Sequence, residues 1–131
     1  MIPRYNVSQI SDIWSDEYKF KCWLNVELAI LSALEGKQVP TGISEQIAAK
    51  AKINLGRIET IEADVHHDVI AFCSSITEQL PPELGRYFHF GVTSSDIIDS
   101  ALMIQVRDSL KIVVPQFEKL LVSLYSLAER S

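Results

Sequence analysis

The chain has 131 residues, a formal net charge of −5 and a hydrophobic fraction of 47%. This length is ordinary for one domain, and the composition is sufficient for a buried core. The lysines and arginines form no block, which argues against nucleic-acid binding. The sequence has no run of 18 apolar residues, which argues against a membrane span. Its N-terminus lacks the pattern of a signal peptide, which argues against secretion.

The first clear helix is predicted to begin after Ser15, where two acidic residues follow, and to end before Gly36. Its apolar residues recur at helical spacing: Phe20, Trp23, Leu24, Leu28, Leu31 and Leu34. We interpret Trp14 and Trp23 as core residues. Cys22, in this helix, has no paired framework and is expected to be a reduced thiol, which predicts a cytoplasmic protein.

Three shorter helices are predicted between residues 41 and 80. The first follows a cap at residues 41–44, the second begins at Asn54, and the third covers residues 65–80 and contains Cys73. Two consecutive prolines at positions 81 and 82 end the third helix. The acidic residues in the second helix are interpreted as a solvated face: Glu59, Glu62 and Asp64.

Residues 83–93 are predicted to be an aromatic loop, and a long helix is predicted from Ser94 almost to the end. Pro115 predicts a break or a kink in it. Beyond Pro115 the helix is apolar on more than one side, through Leu120, Leu121, Leu124, Tyr125 and Leu127. Because helices are stabilised mainly by packing, we expect this segment to need partners from a longer protein. The predicted fold class is all-α.

The segment from His89 to Asp96 contains the most informative pattern. Gly91 lets the backbone approach a ligand, and Thr93 and Ser94 place hydroxyls at a helix start. Free N–H groups and the positive end of the helix dipole at such a start suit a carboxylate or a phosphate. The alternative is that Thr93 and Asp96 serve only as a helix cap.

A second candidate group is His66-His67-Asp68. Histidine can gain or lose a proton near neutral pH, and a neighbouring carboxylate favours its charged form. Adjacent residues on a helix point about 100° apart, so only one of the two histidines can face a given pocket. The alternative is a helix start with solvated histidines. Adjacent histidines do not have the three- or four-residue spacing of helical zinc ligands, so we predict no metal site.

Arg4 and Tyr5 form a third candidate group. An arginine fork matches a phosphate well, although residues so near a terminus are usually mobile. Motifs for a nucleophile elbow, a P-loop or a dinucleotide fold are absent from the sequence.

Four blocks of the sequence, in order and spacing, resemble the bacterial adenylosuccinate lyases of the fumarase/aspartase superfamily. They are MIPRY (1–5), IWSDE (13–17), HDVIAF (67–72) and HFGVTSSD (89–96). The resemblance implies an N-terminal helical domain over residues 1–111 and the truncated start of a central helical-bundle domain over residues 112–131. It also implies a homotetramer when the protein is full length.

The resemblance further implies a C–N lyase of purine biosynthesis. Such an enzyme eliminates fumarate from adenylosuccinate, giving AMP, and from succinyl-aminoimidazole carboxamide ribotide. A base removes a proton next to a carboxylate and an acid protonates the departing nitrogen, without a cofactor or a metal.

Site roles follow from the same resemblance. Arg4 and Tyr5 would contact the phosphate and ribose side, His67 and Asp68 would line the nucleotide pocket, and Thr93 and Ser94 would hold a succinyl carboxylate. His67 is the candidate catalytic residue, either through proton transfer or through a hydrogen bond to the dicarboxylate. His89 is a further candidate for an anion contact. His66 stands where many relatives have arginine, so a weaker ligand contact is expected there.

The family's proton-donor histidine and its serine-bearing flexible loop are not in this sequence. Family active sites also combine residues from three subunits. We therefore expect a fragment that is inactive alone. Two alternatives stay open: another superfamily lyase, such as an argininosuccinate lyase or a carboxymuconate cycloisomerase, and a non-catalytic helical interaction module with an exposed apolar surface near residues 113–128.

Overall fold

The computed structural model describes residues 3–130. Met1 and Ile2 of the first motif, and Ser131 of the predicted bundle segment, lie outside the described residues. Every regular element within 3–130 is a helix, which confirms the all-α prediction. A short 3₁₀ helix (Pro3–Tyr5) precedes α1 (Ser8–Ile13), α2 (Asp16–Leu34), α3 (Ile43–Lys50), α4 (Leu55–Val65), α5 (Asp68–Thr77), α6 (Pro82–Gly85) and α7 (Ser94–Glu129).

Helix α2 begins and ends where the sequence predicts. The Ser15 hydroxyl accepts a hydrogen bond from the Tyr18 N–H at 3.2 Å, and two acidic residues occupy the first turn. The helix ends at Leu34, and Gly36 adopts a left-handed backbone with φ of 74°. The Glu35 carboxylate then accepts hydrogen bonds from the N–H groups of Gly42 and Ser44, which fixes the start of α3 against the end of α2.

The core is centred on an aromatic cluster between α2 and α5. Phe72 is completely buried; its ring stacks on Phe20 at 5.7 Å and meets Trp23 edge-on at 5.4 Å. The ring of Phe88, from the segment between α6 and α7, also packs against Phe72, at 6.0 Å between ring centres. Burial of aromatic rings of this size contributes a large share of the stability of a small domain. The cluster therefore ties α2, α5 and the segment before α7 together.

Trp23 is buried as predicted, but the prediction that Trp14 is a core residue is wrong. Trp14 is 43% exposed because it lies at the C-terminal end of α1, where the chain turns into α2. Its indole N–H donates to the Ser109 hydroxyl on α7 at 3.0 Å.

Several boundaries differ from the prediction for residues 65–93. Helix α4 extends to Val65 and is terminated by His66, whose φ of 52° is left-handed, so α5 begins only at Asp68. Helix α5 ends at Thr77 and turns complete the path to Leu80. The predicted loop contains the one-turn helix α6, which Pro82 starts because proline suits the first helical position.

Helix α7 is anchored by its first half. The buried Gln105 amide donates to the Ile13 carbonyl at 2.8 Å, and the Tyr18 hydroxyl donates to Asp108 at 2.7 Å. Beyond these contacts, large apolar side chains are exposed, as expected near residues 113–128: Val114, Phe117, Leu120, Leu121, Val122, Leu124, Tyr125 and Leu127. Of the helices in the described part of the chain, none combines the length and the apolar character that a membrane crossing requires.

The predicted break at Pro115 is wrong. Helix α7 is continuous from Ser94 to Glu129, with Pro115 inside it. A proline removes one backbone hydrogen bond from a helix interior, and the bonds of the neighbouring turns keep this helix continuous. A kink at Pro115 stays a prediction.

The contact between Tyr18 and Asp108 predicts an acid-dependent stability. Hydrogen bonds from Arg107, Lys111 and Tyr18 hold the pKa of Asp108 well below its ordinary value of 3.8, and the bond to Asp108 raises the pKa of Tyr18 to about 12. A carboxyl whose pKa is lower in the folded than in the unfolded chain stabilises the fold above its unfolded pKa. We expect Asp108→Asn to be less stable than the wild type at pH 7.

This stability difference should shrink as the pH falls below about 4, because the unfolded chain then binds a proton at Asp108 that the folded chain still excludes. Urea unfolding between pH 7 and pH 2.5 measures it. Asp99→Asn, an exposed position on the same helix, is the control. A constant difference between Asp108→Asn and the wild type across this range would contradict the assignment.

Candidate functional site

A pocket of about 160 Å³ lies between α5 and the beginning of α7. Its wall combines apolar and polar side chains: Val69, Ile70, Cys73, Ser74, Thr77, His89 and Ser94. Of the residues that the sequence singles out, the pocket brings together His89 and Ser94. Val69 and Ile70 belong to the first turn of α5, directly after His67 and Asp68.

The imidazole of His89 contacts the buried carboxylate of Glu27. Its Nδ1 lies 2.6 Å from Oε1 of Glu27, and its side chain remains 26% exposed. The backbone of His89 is left-handed, with φ of 61°. Left-handed conformations are uncommon in residues other than glycine, and they cluster at functional sites. With Nδ1 engaged by Glu27, Nε2 is the ring nitrogen available to a molecule in the pocket.

Glu27 is completely buried in the middle of α2. Burial raises the pKa of its carboxyl, while hydrogen bonding and charge attraction from His89 oppose this increase. The Cys73 thiol lies 3.9 Å from the same oxygen, and burial, together with this carboxylate, raises the pKa of the thiol to about 12. The site therefore contains a buried acid, a neutral thiol and an imidazole in one contact group.

These three side chains also have the composition of a metal site. Their donor atoms all lie within 4.8 Å of one another. A metal ligand must be deprotonated, however, and the raised pKa of the Cys73 thiol disfavours the thiolate. The short Glu27–His89 distance is that of a charge-assisted hydrogen bond. The geometry thus favours a hydrogen-bonded group.

The beginning of α7 is both capped and open. The Asp96 carboxylate accepts a hydrogen bond from the Thr93 N–H at 2.8 Å, so the cap predicted as the alternative is present. Ser94 and Ser95 occupy the first two positions of the helix, where the N–H groups have no acceptor within the helix. The Ser94 side chain lies in the pocket wall, whereas Ser95 is exposed.

The two adjacent histidines have different structural environments. His66 terminates α4 and lies beside Glu59 and Glu62, in a different surface pocket from His89. His67 caps α5, and its Nδ1 accepts a hydrogen bond from the Ile70 N–H at 3.3 Å. Asp68 accepts from the N–H of Val69 and lies 3.7 Å from His67 Nδ1. His67 and Asp68 thus flank the pocket without contributing to its wall.

Arg4 and Tyr5 contact each other. The Arg4 guanidinium lies 5.0 Å from the centre of the Tyr5 ring, and Tyr5 is 69% exposed. Neither residue belongs to the wall of the pocket that contains His89.

Glu27 and Cys73 are site residues that the sequence reasoning missed. Glu27 carries a usable signal, because it follows Trp23 and precedes Leu31 by four residues each. A carboxylate at this spacing lies on the same helix face as two core residues. Carboxylates are almost never fully buried without a partner, so this position predicts a functional or paired acid.

Three curated relatives of the chain carry the same name. A sequence from Synechocystis sp. (strain PCC 6803) is 41% identical over 99% of this chain, and one from Thermotoga maritima is 35% identical over 99%. One from Aquifex aeolicus is 38% identical over 98%. All three are adenylosuccinate lyases. This chain resembles adenylosuccinate lyases. It spans about 30% of the length of these lyases, and no protein-family model matches it.

Solved structures agree on the fold. A fumarate lyase from Mesorhizobium sp. BNC1 superposes with a TM-score of 0.84 over 92% of the chain and 29% of its own length, at 21% identity. A beta-carboxy-cis,cis-muconate cycloisomerase from Acinetobacter calcoaceticus sp. ADP1 gives 0.82 over 92% and 30%, at 26% identity. The chain thus combines a fold that it shares with this fumarate lyase and this cycloisomerase with a sequence similar to adenylosuccinate lyases.

The cap at the start of α7 predicts a stability effect that is separate from ligand binding. We expect Asp96→Ala to lower the free energy of unfolding by about 1 kcal/mol, because the Thr93 N–H loses its acceptor. The matched variant Asp99→Ala removes the same charge from an exposed position on α7 and should change it by about 0.5 kcal/mol or less. Urea unfolding compares the two; equal effects would show that the cap contributes nothing.

Proposed function

We propose that this chain forms part of the substrate site of an adenylosuccinate lyase, which eliminates fumarate from adenylosuccinate and from succinyl-aminoimidazole carboxamide ribotide in purine biosynthesis. The observation that carries the proposal is the pocket in which His89 and Ser94 meet at the positive end of α7. The 35–41% identity to lyases of that name supports it over the chain's own length.

The size of the pocket indicates which part of the substrate it takes. Sites for whole organic ligands usually have volumes of about 300–1,000 Å³. A volume of about 160 Å³ fits a single acid group. We assign it to a carboxylate of the succinyl moiety, held by the Ser94 hydroxyl and the first N–H groups of α7, with Thr93 at the entrance and His89 on the opposite side.

The reaction explains why fixed donors are useful at this point. As a base removes the proton next to the carboxylate, negative charge builds up on that carboxylate. Donors already aimed at the developing charge can lower the barrier by about 2.7–4 kcal/mol each. Amides at a helix start need no reorganisation during the step, because the helix fixes their direction.

His67 is the candidate catalytic residue at the edge of the pocket. Because its Nδ1 accepts the Ile70 N–H, the neutral ring carries its proton on Nε2. Nε2–H can therefore donate a hydrogen bond to the dicarboxylate or assist the proton transfer to the departing nitrogen. Asp68, Arg4 and Tyr5 are proposed to contact the nucleotide side, with His66 as a weaker contact.

The domain boundary and the assembly are part of the same proposal. The buried residues of α7 are Ile97, Ala101 and Gln105, and exposed apolar side chains, which already include Met103 and Leu110, become dense from Val114 onwards. This change supports the division between residues 1–111 and 112–131. It also supports a homotetramer in which the second half of α7 packs against other helices, as in the central bundle that the resemblance implies.

The sequence relatives favour this activity over that of an argininosuccinate lyase or a cycloisomerase. The exposed apolar surface suits a helical interaction module equally well, so it does not discriminate. Nucleotide binding does: AMP should bind to the complete protein, whereas an interaction module should bind neither nucleotides nor dicarboxylates.

The direct test is Ser94→Ala in the product of the complete reading frame, assayed with adenylosuccinate. We expect kcat to fall about 100-fold to 1,000-fold, because one donor to the developing charge is removed. Ser95→Ala is the matched control, since Ser95 is adjacent but exposed outside the pocket. Circular dichroism should be unchanged in both variants. A near-normal rate for Ser94→Ala, or an equal loss for Ser95→Ala, would refute the carboxylate role.

A further inference from the structure

The burial of the Glu27 carboxylate destabilises the protein, and the fold alone does not explain why this residue is there. Its side chain is 1% exposed, and its Oε2 has no hydrogen-bond partner within residues 3–130. A buried carboxylate without full hydrogen bonding destabilises a fold, whereas an apolar side chain of similar volume at such a position is often neutral or stabilising. The position is surrounded by core residues of α2, including Trp23 and Leu31. The carboxylate is therefore not needed for packing.

The contacts of Glu27 point in one direction. Its Oε1 lies 2.6 Å from Nδ1 of His89, and Sγ of Cys73 lies 3.9 Å from the same oxygen. Both His89 and Cys73 line the pocket at the beginning of α7. Glu27 itself is behind this wall and does not line the pocket. Whatever it does to a ligand must therefore act through one of these two residues, and the closer contact, at 2.6 Å, is with His89.

The contact settles which atom of His89 is presented to the pocket. A bare carboxylate is unfavourable in the core, so the pair keeps one proton between Oε1 and Nδ1. Oε1 occupies the Nδ1 side, so Nε2 is the ring nitrogen left for a ligand, and a proton on Nε2 leaves the buried pair without a net charge whichever of the two partners holds the shared proton. In both arrangements Nε2–H is a donor on the exposed side of the ring, where it can meet an acid group beside Ser94.

We propose that Glu27 is a positioning residue that holds His89 in the orientation and protonation in which Nε2–H binds the anionic group of the ligand next to Ser94. This rests on the proposed function only for the identity of that group as a substrate carboxylate. In many proteins a carboxylate on one ring nitrogen orients a metal-bound or catalytic histidine. Here the same arrangement would orient a histidine toward an anion.

The first measurement needs no ligand. In the ¹⁵N-labelled protein, the proton shared by Glu27 and His89 should give a far-downfield signal that exchanges slowly with solvent, because the bond is short and buried. The signal should disappear in Glu27→Leu and shift in Glu27→Gln. His66 and His67 are internal controls, since neither contacts Glu27. Absence of the signal from the wild-type protein would overturn the proposal.

The second measurement is a double-mutant cycle on anion affinity, with fumarate and inorganic phosphate as probes and the Ser94 and Ser95 amide signals as the readout. Glu27→Gln, which preserves the shape of the side chain, should weaken binding about tenfold or more. In a His89→Asn background it should have little further effect, because Glu27 acts through His89. Asparagine is chosen because it tolerates the left-handed backbone.

Ser75→Ala is the matched control, because Ser75 is a buried polar residue of α5 that bonds only locally, to the Phe72 carbonyl, and does not line the pocket. It should leave anion affinity unchanged. Additive effects of Glu27→Gln and His89→Asn on anion affinity would overturn the proposal. Unchanged anion affinity in Glu27→Gln would overturn it as well. If the complete protein binds anions in a Glu27-dependent way but does not cleave adenylosuccinate, the proposed function is wrong and this inference stands. Cleavage that depends on Ser94 but has the same kcat and KM in Glu27→Gln would sink this inference alone.

Discussion

The hydrogen bond between Glu27 and His89 determines how the core and the pocket relate. It joins the buried middle of α2 to the segment that leads into α7, at a distance of 2.6 Å. One residue earlier, Phe88 is fixed in the aromatic cluster around Phe72. The two contacts set the position from which the chain turns through Gly91 into α7. The pocket exists because this turn brings Ser94 next to α5.

The start of α7 offers different groups for helix stability and for the proposed ligand binding. Asp96 takes the Thr93 N–H and completes a cap, which satisfies the structural need of a helix end. The N–H groups of Ser94 and Ser95 and the Ser94 hydroxyl are left for a partner from outside. The cap and the anion site are therefore compatible, although the sequence presents them as alternatives. His67 likewise caps α5 through Nδ1, which leaves Nε2 outside the cap for the ligand contact that we propose.

Much of the fold could be predicted because it follows from local rules. Periodicity and caps identified α2 and its ends, and two prolines located the end of the segment after α5. The left-handed termination at His66 was missed because its cause is a non-glycine backbone conformation, which no composition pattern marks. Pro115 predicts a break or a kink, and only the break is excluded, because the hydrogen bonds of the neighbouring turns keep α7 continuous. Trp14 was misassigned because helical spacing alone does not show where a helix ends.

The candidate site could be predicted only in part. His89 and Ser94 stand in one motif, so their proximity was accessible from the sequence. Glu27 lies 62 residues before His89 and 46 residues before Cys73 along the chain. Only tertiary packing brings these three residues together. The central claim, that the pocket at the start of α7 binds an acid group of the substrate, depends on this packing.

A crystal structure of the complete protein with bound adenylosuccinate tests that claim most directly. The account predicts a succinyl carboxylate within about 3 Å of the Ser94 hydroxyl and the first amides of α7, with His89 Nε2 facing the same group. A substrate bound elsewhere, with this pocket closed or filled only by water, would contradict it.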